Sequence, residues 1–180
     1  VVTSLSDASA ARAIAEAARR APADTTLYLS LPTAKQDGAS LTAFELMSDT
    51  ALGLVAQHVP EQLLPLALKA PWYALVELSD TEGEAHARAR FEAVVGRAFE
   101  DGLVVDAAIA ESLQHSDALW RLRDEWLGEA QKRDGRNIKH DVSVPISRIP
   151  DFLAATADAL HSRFPGVRPV AFGHLGDGNL

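Results

Sequence analysis

Arg123, Lys139, His174 and Asn179 are the side chains whose type and setting suit ligand chemistry. His174, Asp177 and Asn179 lie in the run Gly-His-Leu-Gly-Asp-Gly-Asn-Leu over residues 173–180, where the sequence stops. Glycines at 173, 176 and 178 exclude helix and regular strand and build a tight loop. An imidazole, a carboxylate and an amide in such a loop can bind a metal or orient a substrate. On residue type alone, His174 suits a structural turn as well as a ligand role, and Asp177 suits holding the turn. Arg123 stands out by geometry. On a helical wheel Arg123, Trp126 and Ala130 fall within about 40° of Leu119, so a guanidinium projects from an apolar stripe. Either its stem packs while its head reaches water, or it is a fixed fork for a carboxylate. Lys139 shares one face of an expected strand with Asp141 and Ser143, while Ile138, His140, Val142, Val144 and Ile146 share the other. That polar face is either simply solvated or adds a second positive charge near Arg123. His140, grouped with the apolar set, is expected in the core with a backbone hydrogen bond. His58, His86, His115 and His161 have no partners at metal-ligand spacing.

The elements that must hold these residues alternate between strand and helix patterns. Residues 1–5 read as a strand, and Ser6 or Asp7 can cap a helix to about residue 20. Residues 25–31 are β-rich, 33–40 loop-like and 41–44 extended, before a helix over 48–59. An apolar strand follows over 72–78. The helix over 81–101 carries Ala87, Phe91, Val94, Val95 and Ala98 on one stripe. Next come a strand over 103–109 and a helix capped by Ser116, running to about 132 and ended by Asp134-Gly135. A strand is expected over 137–146, with Pro145 at its edge. The helix over 150–164 should bury Phe152, Leu153, Thr156, Leu160 and Phe164, and a last strand spans 167–172. This succession suits a parallel α/β sheet or an α+β sandwich of split βαβ units. The lack of a glycine-rich first turn counts against a dinucleotide-type doubly wound sheet.

At 180 residues the chain fits one domain, or two small halves sharing a core. Its 47% hydrophobic and 23% charged residues are those of a globular protein. The net charge of −8 argues against a nucleic-acid partner, because neutralising phosphates needs clustered Lys and Arg. Without cysteine there are no disulfides and no thiolate metal sites. The start shows no basic region followed by an apolar stretch. The most apolar segment, over 63–78, is broken by Pro65, Lys69 and Pro71, far short of a membrane span. A soluble, cytoplasmic protein is the expectation.

The 173–180 run resembles the signature of the C-terminal, substrate-binding or cap, domain of FAD-linked oxidases. That family includes the D-lactate, D-2-hydroxyglutarate and glycolate dehydrogenases. Further stretches fit it in its usual order: Ala-Phe-Glu-Leu-Met at 43–47, Leu-Trp-Arg-Leu-Arg at 119–123 and Lys-His-Asp-Val-Ser-Val-Pro at 139–145. The likeness runs from about residue 41 to the end. The first forty residues match poorly, and 22–38 looks longer than the family's connection there. The resemblance implies an α+β fold of paired ferredoxin-like halves with mainly antiparallel sheet and helices packed on it. It implies hydride transfer from a D-2-hydroxy acid to FAD. The whole of 1–180 would then be a fragment of the C-terminal domain, inactive alone, with an N-terminal FAD-binding domain outside it. It also implies that Arg123 and Lys139 bind the substrate carboxylate and that Asn179 touches the cofactor. His174 would be one ligand of a divalent metal such as Zn or Mn. In the family a second histidine and a later glutamate complete that metal site, the metal polarises the 2-hydroxyl, and a downstream histidine takes its proton. Where the family places a threonine about one turn after the arginine, this chain has Leu127 and Gly128, so that hydroxyl contact is lost or supplied elsewhere. Glu45 matches the family without an evident role. Two rivals are a free-standing ferredoxin-like sensor of small carboxylates and a metal-dependent hydrolase, the latter needing more ligands than His174 and Asp177. The particular hydroxy acid, the electron acceptor and a homodimer are left open.

Overall fold

A computed structural model describes residues 2–5, 28–29, 40–62, 64–66 and 70–180. The helix expected over 6–20 lies outside these residues. The strands are β1 (Val2–Leu5), β2 (Tyr28–Leu29), β3 (Ser40–Ser48), β4 (Trp72–Ser79), β5 (Val104–Ala108) and β6 (Phe172–His174). The helices are α1 (Asp49–His58), α2 (Glu84–Glu100), α3 (Leu113–Arg121), α4 (Leu127–Asp134) and α5 (Ile149–Arg163). A π-helical turn, Leu122–Trp126, joins α3 to α4, and a 3-10 turn, Ile146–Arg148, leads into α5. The strands form one sheet in the order β2-β3-β4-β1-β5, with β6 also paired to β3. Among the described residues only the short β2–β3 pair is parallel; β1–β4, β1–β5, β3–β4 and β3–β6 are antiparallel. This is an α+β fold with a mainly antiparallel sheet, not a doubly wound parallel one.

The period-2 alternation of the central strands sorts the core into two layers. Phe44 and Leu46 of β3, with Ala74 and Val76 of β4, face one side and pack with Ala98, Val104, Ile149 and Leu175. Met47, Tyr73 and Leu75 face the other and pack with Ala51, Leu52 and Val55 of α1 and with Leu119, Leu122, Trp126, Leu127 and Ala130 along α3–α4. Burying a large aliphatic chain fully, as for Leu46 and Leu52, contributes about 1.5–3 kcal/mol. Ser48 fixes the passage from β3 into α1: its hydroxyl accepts from the Ala51 amide at 3.2 Å and also from the Ala171 amide at 3.2 Å.

Several expectations are corrected. The strand foreseen over 137–146 is an irregular segment, without a sheet neighbour among the described residues. Val142 and Leu180 exchange both amide–carbonyl bonds at 2.9 Å, and the Val144 amide donates to the Gly178 carbonyl at 3.0 Å. The partner is thus the glycine loop, which is too curved to extend a ladder, and Pro145 brings no N–H to continue it. Only the later part of the segment keeps the alternation, with Val142, Val144 and Ile146 half-buried and Val144 packed against the core, whereas His140 is exposed rather than buried and Ile138 is 87% exposed. The helix cap expected at Ser116 is Ser112, whose hydroxyl accepts from the His115 amide at 3.1 Å. The last strand is shorter and later than 167–172, because Pro169 interrupts the run and pairing with β3 begins at Phe172. On α5, Phe152, Leu153, Thr156 and Leu160 are half-buried, whereas Phe164 is 60% exposed. Phe164 sits at the C-cap with φ −132° and ψ 78°, where the backbone has left the helix and the stripe no longer applies.

Candidate functional site

Glu45 lies on the same face of β3 as Met47, inside an otherwise apolar layer, and is only 2% exposed. A carboxylate in that position must be paired, because stranding a charge in the interior is strongly unfavourable. Its partners come from two elements. Arg123 Nε donates to Glu45 Oε2 at 2.9 Å, and His174 Nδ1 lies 2.5 Å from Glu45 Oε1. His174 is the cross-strand neighbour of Glu45 in the β3–β6 register, which puts both side chains on one face. Arg123 arrives from the helical layer that covers this face, on the π-helical turn between α3 and α4. Its guanidinium carbon stands 5.1 Å from the centre of the Phe172 ring, so the fork is stacked on an aromatic face as well as anchored through Nε. A looser ion pair, 3.9 Å to the exposed carboxylate of Asp124, is weakened by water.

The π turn explains how Arg123 gets there. Measured from Leu119 on an ideal wheel, Leu122 lies about 60° to one side while Leu127 and Gln131 lie about 80° and 120° to the other. All four are buried. The buried stripe therefore moves by about 100°, one residue's worth, across the turn. Arg123 stands at the seam, facing β3 with a side chain 12% exposed.

The loop that carries His174 is held at close quarters. The His174 carbonyl accepts from the Asn179 amide at 3.1 Å, and the Asp177 carboxylate accepts from the same amide at 3.0 Å, which gives Asp177 the turn-holding role expected of it. Asn179 Nδ2 donates to Asp141 Oδ1 at 2.7 Å. At Gly173 a side chain would press on the Asn179 carbonyl oxygen and stand 2.7 Å from the Leu180 Cα. At Gly178, with φ +83°, it would press on the Val144 carbonyl.

Of the residues singled out in the sequence, Arg123 and His174 are brought together, with Glu45 between them. Asn179 sits in the same loop and is tied to Asp141. Lys139, two residues before Asp141, is exposed, and its side chain makes no ion pair or hydrogen bond among the described residues. Leu127 is 1% exposed, so the position of the expected threonine belongs to the core. Glu45 is the site residue that motif reading passed over. Its signal was the alternation itself, which places a glutamate on the buried face beside Met47.

A carboxylate paired to an arginine accepts hydrogen bonds, so the contact with His174 requires the proton on Nδ1. In the neutral imidazole the Nε2 lone pair is then directed away from Glu45. With Nε taken, Arg123 keeps its Nη1–Nη2 edge for a second carboxylate, the bidentate geometry this side chain favours. A fork for an anion and a lone pair for a proton or cation are therefore both left free by one buried carboxylate. Among the described residues, no group of three or more His, Asp or Glu side chains could hold a metal ion, so His174 offers one donor and not a complete metal site. No helix among them is long and apolar enough to cross a membrane.

The chain is similar to D-2-hydroxyglutarate dehydrogenase of Xanthomonas citri pv. viticola, with 42% identity over 142 residues, 78% of this chain and 28% of that protein. It is 38% identical over 149 residues to D-2-hydroxyglutarate dehydrogenase of Stutzerimonas stutzeri, covering 81% of this chain and 30% of the relative. Mitochondrial D-2-hydroxyglutarate dehydrogenase of Rattus norvegicus is 35% identical over 160 residues, 88% of this chain and 29% of its own length. The chain thus spans less than a third of the length of these relatives. The pattern of the FAD linked oxidases, C-terminal domain, matches residues 10–180, and the chain belongs to that family.

Proposed function

We propose that this chain is the substrate-binding part of an FAD-dependent dehydrogenase acting on a D-2-hydroxy acid, D-2-hydroxyglutarate being the first candidate. The observation that carries the proposal is the Arg123–Glu45–His174 cluster in a chain whose relatives are named for that substrate. The Nη edge of Arg123 binds the carboxylate adjoining the hydroxyl-bearing carbon, and Lys139 adds a second positive charge from its exposed segment. His174 presents Nε2 to the 2-hydroxyl. FAD, when bound, supplies the hydride acceptor. It is held mainly by residues outside these 180, with Asn179 contributing a contact from its amide oxygen. Where a divalent ion such as Zn or Mn is bound, His174 Nε2 would be one of its ligands in place of that direct contact, the remaining ligands lying outside the described residues. The single donor found here supports no reaction step through that ion. No observation favours the free-standing carboxylate sensor.

The test is anaerobic mixing of the flavin-loaded holoenzyme with D-2-hydroxyglutarate, its L enantiomer and D-lactate. D-2-hydroxyglutarate should bleach the flavin absorbance and the L enantiomer should not. Arg123→Lys, which keeps the charge and loses the planar fork, should raise KM about tenfold or more. A flavin that no D-2-hydroxy acid reduces would overturn the reading.

A further inference from the structure

Glu45 contacts both Arg123 and His174, and its burial is otherwise unexplained. We propose that Glu45 is a positioning residue that sets the aim of the substrate-binding arginine and of the loop histidine together. The proposal rests on the reading of Arg123 and His174 given above. Its two oxygens are divided between the two partners, Oε2 to Arg123 Nε at 2.9 Å and Oε1 to His174 Nδ1 at 2.5 Å. The Glu45 side chain is 3% exposed and that of Arg123 12%, so water competes weakly for their contact, whereas the His174 side chain is 54% exposed and open to a ligand. Each contact dictates an orientation. Binding at Nε leaves the Nη1–Nη2 edge on the far side of the guanidinium. Binding at Nδ1 places a proton there and, in the neutral imidazole, leaves the Nε2 lone pair on the far side of the ring. Because both partners are held by the two oxygens of one carboxylate, the orientation of each is set together with that of the other. A buried carboxylate pinned on one side by Arg123 and on the other by β6 also links the loop to the α3–α4 turn. Substrate recognition by the arginine and the state of the histidine are thereby coupled.

The test uses the holoenzyme with Glu45→Gln, which keeps the shape but replaces a pure acceptor by a group that is half donor. Glu45→Asp serves as a second variant: it keeps the charge but is too short to span both partners. The readouts are KM and kcat for the 2-hydroxy acid, the melting temperature, and the nitrogen NMR shifts of the His174 ring, which report its tautomer apart from activity. KM should rise about ten- to a hundredfold, the range typical for losing a supporting partner. The His174 ring should lose its fixed Nδ1–H form in Glu45→Gln. Glu45→Asp, which retains an ion pair for the fold, should move KM in the same direction. Folded variants with wild-type KM and an unchanged His174 tautomer would overturn the proposal. If Arg123→Lys leaves KM unaltered while Glu45→Gln shifts the tautomer, the substrate role of Arg123 fails and the hold of Glu45 on His174 stands.

Discussion

At the scale of single residues, the glycines of 173–180 differ in what they permit, and the difference can be measured. Gly178 has φ +83°, and a Cβ there meets the backbone carbonyl of Val144, which cannot swing aside as a side chain could. Gly178→Ala should therefore lower stability by more than about 2 kcal/mol, combining left-handed strain with a backbone clash. Gly128 lies within α4 and has open space where a Cβ would go. Gly128→Ala should stabilise by about 0.4–1 kcal/mol through helix propensity and a less flexible unfolded chain. Denaturant unfolding of the two variants should move in opposite directions, and similar effects would show that the loop is not packed as described. The importance of the 173–180 loop and of Arg123 was legible in the sequence, because glycine density and a cation on an apolar stripe are local signals. Glu45 was equally visible as an acid on a buried strand face, but its meaning needed the partners, which lie 78 and 129 residues away in sequence. His140 misled because only the later part of that period-2 run, from Val142, lies against the core.

At the scale of elements, long periodic segments were readable: α1, α2, α5 and β4 fall within a few residues of their expected bounds. The π turn was not foreseen, since each half of the helix reads as an ordinary amphipathic stripe. Only comparing the halves exposes the shift of about 100° between them. Extra residues of this kind are frequent at functional sites, where they re-aim a side chain. Deleting Asp124, whose side chain is 63% exposed, should convert the turn to α-helix and make the two stripes continuous. Arg123 would then sit at the rim of the stripe, about 70° from its centre, out of reach of Glu45. The expected outcome is a domain that still melts cooperatively, with KM for the 2-hydroxy acid raised by roughly ten- to a hundredfold from misplacement of one binding group. A wild-type KM in the folded deletion variant would show that the turn does not set the aim of Arg123.

At the scale of the whole molecule, the two ends of the helical layer are tied to the segment leading into β6 by one carboxylate. Asp134, the last residue of α4, accepts from His58 Nε2 at the end of α1, at 3.0 Å, and pairs with Arg168. Arg168, then His58, hold the Asp134 carboxyl below its ordinary value of 3.8. The folded chain therefore binds fewer protons at Asp134 than the unfolded chain does in acid. The stabilisation is fully present above the unfolded value and disappears as pH falls through the lower folded value. Asp80 works in the same direction, held down first by the Glu82 amide and then by His86, so Asp134 accounts for only part of the acid response. Asp134→Asn should lower the melting temperature at neutral pH and flatten its decline between about pH 5 and pH 2, because one group that must be protonated has been removed. The two melting curves should converge at the acid end of the series. A variant whose melting temperature falls as steeply as the wild type's over that range would mean that the contacts of Asp134 with Arg168 and His58 do not form in solution. β6, and with it His174, would then be placed by its pairing with β3, the Ser48–Ala171 bond and the loop's bonds to Val142 and Val144, without a contribution from Asp134.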